Sequence, residues 1–229
     1  MLEIAQDIFV IIPCFNEAAV IRQTVEAVHS EGYSVVVVDD ASTDLTTQVL
    51  SGLPVYYIKH PINLGQGAAI QTGIDFAKEK GARFFVTFDA DGQHEVKDIA
   101  QMIKVLIDKE VDIVFGSRFL PGAMTNITPS RNLLLNAGRY LNYFVSGILL
   151  SDAHNGIRVF NRRTAENIRI RENRMAHATE FQISVARNQL KYAECPVHIY
   201  YNAYSIKKGQ RGLASIKILF EIILYKIFR

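Results

Sequence analysis

Short apolar runs alternate with helical patterns along the first half of the chain, and this alternation restricts the fold more than any other feature. The runs lack the polar alternation of a half-exposed strand, which predicts strands covered on both faces, as in a parallel sheet. Between them apolar residues recur at helical spacing, as in Ile99, Met102 and Leu106. This βαβ series predicts an α/β fold with a mostly parallel sheet flanked by helices. The predicted strands are residues 8–13, 35–38, 55–58, 84–88 and 113–115.

The sequence also predicts where two helices of the first half begin or end. Asn16 is expected to cap the first helix, and the helix after the third strand is expected to span residues 66–80, before Gly81. Beyond residue 118 the pattern predicts an elaborated region rather than further regular βαβ units. Its expected elements are a loop at 119–129, a helix at 130–149, strands at 157–160 and 193–201, and helices at 179–188 and 213–229.

The composition excludes several classes of protein. With 49% hydrophobic and 21% charged residues, the 229-residue chain is typical of a packed globular protein. A net charge of +2 gives no reason to expect a nucleic-acid partner. Cys14 and Cys195 lie far apart and form no C-x-x-C motif, which favours reduced thiols. Since the N-terminus has no signal-peptide pattern, we expect a cytoplasmic protein.

The C-terminal segment is apolar but interrupted by charge. At about 1.5 Å per residue, a helix over 213–228 would reach only about 24 Å, which is shorter than a bilayer core of about 30 Å. We therefore expect an amphipathic helix at an anionic membrane surface. Two alternatives remain open, namely packing on its own domain or a homo-oligomer contact. Basic residues flank the segment at Lys207, Lys208, Arg211 and Arg229.

Two carboxylates follow the predicted strand at 84–88. Asp89 and Asp91 are hard oxygen ligands one residue apart, at the point where a buried strand should emerge. Such a pair can hold Mg²⁺ or Mn²⁺, which can in turn bridge to substrate phosphates. The sequence therefore predicts a divalent metal and a diphosphate at this position.

The ends of the neighbouring strands are polar as well. In an open parallel sheet, ligands bind beyond the carboxyl ends of the strands. Asp39 could accept hydrogen bonds from a base or a ribose, and Arg118 could neutralise phosphate oxygens. The loop from Asn63 to Gly67 precedes a helix N-terminus, which favours anions. These features together predict a nucleotide-diphosphate donor.

The ordered motifs V-I-I-P-C-F-N-E, V-V-V-D-D-A-S-T-D, N-L-G-Q-G-A-A, D-A-D-G-Q-H and G-S-R resemble family 2 glycosyltransferases of the GT-A fold. Similarity continues at D-A-H-N-G-I-R (152–158), E-F-Q (180–182) and E-C-P-V (194–197). The chain is most similar to the subgroup of dolichyl-phosphate mannosyltransferases and bacterial polyprenyl-phosphate glycosyltransferases. This resemblance implies a Rossmann-like sheet and inversion at the anomeric carbon of a nucleotide sugar, such as GDP-mannose or a UDP-sugar.

The resemblance also implies roles for individual residues. Asp89, Asp91 and Gln93 would hold the Mn²⁺ or Mg²⁺, and Asp91 is a catalytic candidate. His94 would either pack locally at the start of a helix or lie near the donor sugar. Arg131 would meet phosphate or be a surface arginine. The residues expected to line the nucleotide site are Pro13, Phe15, Asn16, Glu17, Asp39, Asn63, Gly67, Asp89 and Ala90.

The acceptor determines which further residues act. A polyprenyl phosphate already carries an anionic oxygen and needs cations nearby, for which the candidates are Arg118, Arg131, Lys207 and Lys208. A sugar hydroxyl of a lipid-linked glycan would instead need a base, and Asp152 and Glu180 are the candidates. Asp152 could alternatively cap a helix or form a salt bridge, and Glu180 could pair with Arg158 or Arg187.

We expect one glycosyltransferase domain over residues 1–229. Its nucleotide-sugar half would be 1–118, its acceptor half 119–212, and its amphipathic C-terminal helix 213–229. We expect the protein to be peripheral, on the inner face of the cytoplasmic membrane. A non-catalytic lipid- or partner-binding protein built on the same fold is the remaining alternative.

Overall fold

The computed structural model describes residues 5–173 and 177–201, without the side chains of residues 129–131, 133 and 134. The predicted helix at 213–229, the side chain of Arg131, and Lys207 and Lys208 lie outside this description. None of the helices within the described ranges combines the length and apolarity that a bilayer crossing requires.

The expected α/β architecture with a mostly parallel sheet is confirmed. Nine strands occur, namely β1 (Ile8–Cys14), β2 (Ser34–Asp39), β3 (Tyr56–Lys59), β4 (Phe84–Thr87), β5 (Ile113–Ser117), β6 (Met124–Thr125), β7 (Arg158–Asn161), β8 (Tyr192–Pro196) and β9 (His198–Ile199) in the described ranges. The helices there are α1 (Ile21–Ser30), α2 (Thr46–Leu50), α3 (Gln66–Glu79), α4 (Lys97–Asp108), α5 (Pro129–Ser146), α6 (Arg162–Asn167) and α7 (His177–Arg187).

Seven strands form the main sheet in the order β3-β2-β1-β4-β7-β5-β8. Strand β7 runs antiparallel to both of its neighbours, β4 and β5. The other pairs in this sheet are parallel. Strands β6 and β9 form a separate small sheet.

The inner strands β1, β4 and β5 are apolar on both faces because each face of the sheet is covered there, whereas the edge strands β3 and β8 are partly exposed. Val10 and Ile12 of β1 join the cluster that includes residues of α1 and α4. Phe9 and Ile11 of the same strand join the opposite cluster, which includes residues of α3, α6 and α7. This explains the absence of polar alternation in the strand sequences.

The first helix does not start where the sequence suggests. Helix α1 begins at Ile21, with Val20 at its N-cap position and no side-chain cap. Asn16 instead has a left-handed backbone, with φ of 56°. Its Oδ1 accepts hydrogen bonds from the backbone N–H groups of Thr43 and Asp44, at 2.9 and 3.3 Å. The predicted cap is therefore wrong, because Asn16 ties two strand-end loops together.

The predicted strand at 193–201 is in fact two strands in different sheets. β8 ends at Pro196, and β9 starts at His198. The buried carboxylate of Asp98 accepts the backbone N–H of His198 at 2.6 Å and contacts its ring Nδ1 at 2.8 Å. These contacts direct the chain away from the main sheet.

The predicted helix at 130–149 also ends early, at Ser146, because Gly147 adopts a left-handed φ of 77°.

Candidate active site

The carboxyl ends of β1, β2, β4 and β5 lie at the same edge of the main sheet. β1 is parallel to β2 and β4, and β5 is parallel to β4 because β7 is antiparallel to both. The segment before β7 reaches this edge too, since β7 runs in the opposite direction. All the strand-end motifs identified in the sequence therefore converge at one edge.

The loops after β1 and β2 are joined by hydrogen bonds. The Asn16 N–H donates to Ser42 Oγ at 2.9 Å, and the Glu17 N–H donates to Thr46 Oγ1 at 3.0 Å. Glu17 is buried, whereas Phe15 is 41% exposed. These bonds fix the backbone of two residues predicted to line a nucleotide pocket, next to the partly exposed Phe15.

Asp39 is fully buried at the end of β2. Its Oδ1 accepts the Ser42 N–H at 2.8 Å, its Oδ2 accepts the Tyr57 hydroxyl at 2.6 Å, and Lys59 Nζ lies 3.6 Å from Oδ2. Burial alone would raise the pKa of Asp39, but the bonds from Ser42 and Tyr57 and the Lys59 charge hold it below its usual value. Burial and the bond to Asp39 raise the pKa of Tyr57 to about 12. Base recognition by Asp39 stays a prediction, since protein groups already engage this carboxylate.

Asp40 organises the loop that leads into α3, a role that the sequence did not suggest. Its carboxylate accepts the N–H groups of Leu64 and Gly65, at 2.9 and 2.7 Å, and contacts His60 Nδ1 at 2.8 Å. The Asn63 side chain donates to the Asp40 carbonyl at 3.1 Å. The only available sequence signal was the Asp-Asp pair at the end of β2.

Gly67 serves a packing role at the start of α3. A Cβ at this position would lie 2.0 Å from the Glu172 carbonyl oxygen, and the Gly67 N–H donates to the Asn173 carbonyl at 2.9 Å. Buried Glu180 holds the same loop, because its Oε2 accepts the N–H groups of Arg171 and Glu172 at 2.8 and 2.7 Å. The group closest to Gly67 is therefore protein backbone.

The two carboxylates predicted to bind metal lie in different environments. Asp89 Oδ1 accepts Gln66 Nε2 at 3.2 Å, and Oδ2 lies 3.2 Å from His94 Nε2. A Cβ at Gly156 would lie 2.0 Å from Asp89 Oδ2, so only glycine leaves room for the carboxylate. Asp91 accepts the Gln93 N–H at 3.2 Å and the Gln93 side-chain amide.

These environments move the two pKa values in opposite directions. Burial alone would raise the pKa of Asp89, but the hydrogen bond and charge of His94, followed by the Arg158 charge, lower it. Burial and the negative charge of Asp89 raise the pKa of Asp91 to about 6. Burial and the neighbouring Asp89 charge thus disfavour the ionised form of Asp91, whereas His94 and Arg158 favour the ionised form of Asp89.

This donor set fits a divalent cation. Among the described residues, no group of three His, Cys, Asp or Glu side chains is arranged to hold a metal ion. Two carboxylates and one amide are nevertheless what Mg²⁺ or Mn²⁺ uses when substrate phosphates complete the coordination. A cation would also remove the repulsion that raises the pKa of Asp91.

His94 is held locally and also touches the candidate metal site. Its side chain is 4% exposed, and its ring packs on Phe88 with centroids 5.5 Å apart. Because Nε2 contacts Asp89, the ring can orient this carboxylate. His94 therefore packs locally, as one interpretation of the sequence expected, and its proximity to the donor sugar stays a prediction.

Arg118 and Asp152, which the sequence suggested for separate roles, form a buried pair. Arg118 Nε donates to Asp152 Oδ2 at 2.6 Å, Nη2 donates to Oδ1 at 3.2 Å, and the Arg118 backbone N–H donates to Oδ2 at 3.1 Å. Nη1 donates to the Tyr201 hydroxyl. Burial alone would lower the pKa of Arg118, but the charge of Asp152 and its hydrogen bond raise it. The salt-bridge alternative for Asp152 is thus the geometry observed.

The alternative ion pairs suggested for Glu180 do not form. Among the described residues, no salt bridge joins Glu180 to Arg158 or Arg187, and its Oε2 accepts two backbone N–H groups instead. Arg158 is instead fully buried with its guanidinium over the Phe181 ring, 5.2 Å from the centroid. Burial lowers the pKa of Arg158 to about 10, against the charges of Asp89 and Asp152. Sequence reasoning assigned Arg158 no site role, although it is the last residue of the D-A-H-N-G-I-R motif.

Comparison with known proteins supports the sequence-based resemblance. The family model "Glycosyl transferase family 2" matches residues 9–169. A UDP-N-acetylglucosamine–dolichyl-phosphate N-acetylglucosaminyltransferase of Methanococcus voltae is 30% identical over 96% of this chain and 96% of its own length. A polyprenol monophosphomannose synthase of Mycolicibacterium smegmatis is 31% identical over 71% of this chain and 64% of its own length.

Solved structures share the fold. Glucosyl-3-phosphoglycerate synthase from Mycobacterium tuberculosis, in complex with Mn²⁺, uridine diphosphate and glucosyl-3-phosphoglycerate, aligns with a TM-score of 0.69. The alignment covers 97% of this chain and 79% of that chain, at 16% identity. The GT-A architecture expected from the motifs is therefore confirmed. The family match over residues 9–169 and the two relatives show that the chain is a glycosyltransferase and belongs to glycosyl transferase family 2.

Proposed function

We propose that the protein transfers a sugar, with inversion, from a nucleotide-diphosphate sugar to a polyprenyl phosphate, with Mn²⁺ or Mg²⁺ as cofactor. The proposal is supported by relatives named for dolichyl-phosphate and polyprenol substrates. It is also supported by the bound Mn²⁺ and uridine diphosphate of a structural neighbour. The donor sugar and base are left open, with GDP-mannose and UDP-sugars as the candidates.

One observation favours a phosphate over a hydroxyl as the acceptor. Both carboxylates suggested as bases already accept several N–H groups. Asp152 accepts three from Arg118 and one from Asn155 Nδ2 at 3.1 Å, and Glu180 accepts two backbone groups. Both carboxylates are therefore engaged in positioning protein groups, which leaves them poorly placed to take a proton from a sugar hydroxyl. A phosphate oxygen is already anionic and needs no base.

The residues at this edge of the sheet would have three roles, namely binding of the nucleoside, of the cation and of the acceptor phosphate. Asn16, Glu17 and Asp39 would bind the nucleoside. Asp89, Asp91 and Gln93 would hold the cation, which when bound neutralises charge that develops on the leaving diphosphate. Arg118 would attract the acceptor phosphate, with Asp152 fixing the direction of its guanidinium.

Membrane attachment is part of this proposal, because the acceptor is a membrane lipid. We propose a peripheral position on the inner face of the cytoplasmic membrane. A homo-oligomer through the helix predicted at 213–229 stays a prediction, as that segment lies outside the described residues.

The test is a donor screen with Mn²⁺ that measures nucleoside-diphosphate release from GDP-mannose, UDP-glucose and UDP-N-acetylglucosamine. Each donor is assayed with and without undecaprenyl phosphate, and Asp91→Asn is the inactive control. We expect one donor to be consumed at least about tenfold faster with the lipid. Consumption that responds to a glycan hydroxyl and not to the lipid phosphate would favour the alternative acceptor.

A further inference from the structure

Four large apolar side chains are exposed together on α5 and just beyond its end. Tyr140 is 51% exposed, Tyr143 is 42%, Phe144 is 70%, and Leu149 is 44%. Residues 140, 143 and 144 are three or four positions apart, so they lie on one side of the helix. We call Tyr140, Tyr143 and Phe144 the aromatic face, and exposed Leu149 follows them just beyond the helix end. Single exposed apolar residues are ordinary, but a contiguous group calls for an explanation.

The orientation of α5 is fixed by a buried polar network on its other side. Asn142 is fully buried and donates to Gln182 Oε1 of α7. Thr179 Oγ1 donates to Asn142 Oδ1 at 2.7 Å, and Gln182 Nε2 donates to the Ala153 carbonyl at 2.8 Å. Rotating α5 to bury its aromatic face would break these buried bonds, which is costly. The outward direction of the aromatic face is therefore built into the packing.

The same helix lies next to the candidate acceptor site. A Cβ at Gly138 would lie 3.4 Å from His154 Nε2. His154 is two residues from Asp152, the partner of Arg118, and the charges of both act on its imidazole. One side of α5 thus borders the site, while the opposite side carries the aromatic face.

The charged residues of the segment that contains the aromatic face, residues 119–151, are all basic. No Asp or Glu occurs between Arg118 and Asp152 in the sequence. Arg139 lies over the Tyr140 ring, 4.8 Å from its centroid, and its Nη2 donates to the Tyr140 hydroxyl at 3.1 Å. A segment that combines tyrosine, phenylalanine and arginine and contains no carboxylate is typical of segments that bind at the interface of an anionic bilayer.

We propose that the aromatic face rests in the interfacial layer of an anionic lipid bilayer. The inference depends on the proposed function, because the polyprenyl phosphate that Arg118 would attract is a membrane lipid. A second copy of the chain is a poorer occupant. A twofold contact through this face would bring Arg139 of each copy towards the other, with no carboxylate from residues 119–151 to compensate.

The first test is flotation of the full chain with phosphatidylcholine vesicles, with and without phosphatidylglycerol. The variant Tyr143→Ser/Phe144→Ser should bind the anionic vesicles about tenfold less tightly than the wild type. Tyr192→Ser is the matched control, because Tyr192 of β8 is also 42% exposed. Its vesicle binding should stay within about twofold of wild type.

A second measurement does not depend on the stability of the serine variants. The chain contains no tryptophan, so Phe144→Trp introduces a single fluorophore. The emission of this variant should shift to shorter wavelength when anionic vesicles are added, whereas Tyr192→Trp should not respond. Wild-type vesicle affinity in Tyr143→Ser/Phe144→Ser, or an unshifted emission spectrum in Phe144→Trp, would overturn the inference.

The two proposals can fail separately. If undecaprenyl phosphate in detergent stimulates donor consumption but the vesicle tests fail, the function stands and the aromatic face is assigned wrongly. If the vesicle tests succeed without stimulation by the lipid, the polyprenyl-phosphate acceptor is wrong. A dimer that Phe144→Ser dissociates, with no vesicle binding, would assign the face to a second copy and overturn the inference.

Discussion

Replacing Asp91 by Asn should stabilise the metal-free protein while removing its response to metal. The pKa of Asp91 is raised from 3.8 to about 6, so its ionised form is disfavoured in the folded state. The resulting loss of stability is absent below about pH 4 and complete above about pH 7. At pH 7.5 a shift of this size corresponds to roughly 3 kcal/mol. Because Asp91 is partly exposed, solvent screening should reduce the effect to about 1–2 kcal/mol.

Asp89→Asn is the matched control, and its effect should have the opposite sign. The pKa of Asp89 is lowered in the fold, so its ionised form contributes stability above the unfolded pKa and loses it as the pH falls through the folded pKa. The variant also weakens the contacts with Gln66 and His94. We expect it to lose about 1–3 kcal/mol at pH 7.5.

The assay is thermal unfolding at pH 7.5 in EDTA, and again with Mn²⁺ and UDP or GDP. For a chain of this size, the gain expected for Asp91→Asn corresponds to about 3–6 °C in Tm. Wild type should gain further stability with Mn²⁺ and nucleotide, and neither variant should. A metal-free Asp91→Asn that melts below wild type would refute the electrostatic argument. Mn²⁺ stabilisation retained in both variants would refute the metal assignment.

Three further predictions concern the rest of the site. Gly156→Ala should place a methyl group against Asp89 and so lower the free energy of unfolding by about 1–3 kcal/mol, as urea unfolding would measure. The variant should also lose its stabilisation by Mn²⁺, and unchanged Mn²⁺ binding would contradict the packing argument. Glu180→Gln should lower Tm by a few degrees yet keep transfer within about tenfold of wild type, whereas a loss of a hundredfold or more would indicate a base. Tyr201→Phe should raise the KM for undecaprenyl phosphate several-fold at unchanged donor KM, and should have no further effect in Arg118→Lys, as a double-mutant cycle would measure.

The strands and their polar ends could be predicted because both follow from local pattern. An apolar run without alternation needs cover on both faces, and the Asp89–Asp91 pair follows β4 directly in sequence. Contacts between distant segments were not predictable in this way. Nothing near Arg118 in sequence indicates that Asp152 will bind it, since β7 must first be inserted between β4 and β5.

Local rules failed where a side chain serves a distant segment. Asn16 has the composition of a helix cap, but its left-handed backbone directs Oδ1 to the loop after β2. Asp98 looks like an ordinary first-turn helix residue, yet it turns the chain into β9 by binding His198. The outward aromatic face of α5 depends on the Asn142 network, which joins helices far apart in sequence.

The antiparallel strand β7 has a consequence for biosynthesis. Strand β5 is bonded in the main sheet only to β7 and β8, and both are translated after residue 118. A nascent chain of residues 1–118 therefore has four strands that can pair and a fifth without a neighbour. Strand β5 can join the sheet only once Asn161, the end of β7, has emerged from the ribosome, and β8 completes the sheet later, at Pro196. Co-expressed halves divided at residue 118 should consequently be recovered together or not at all.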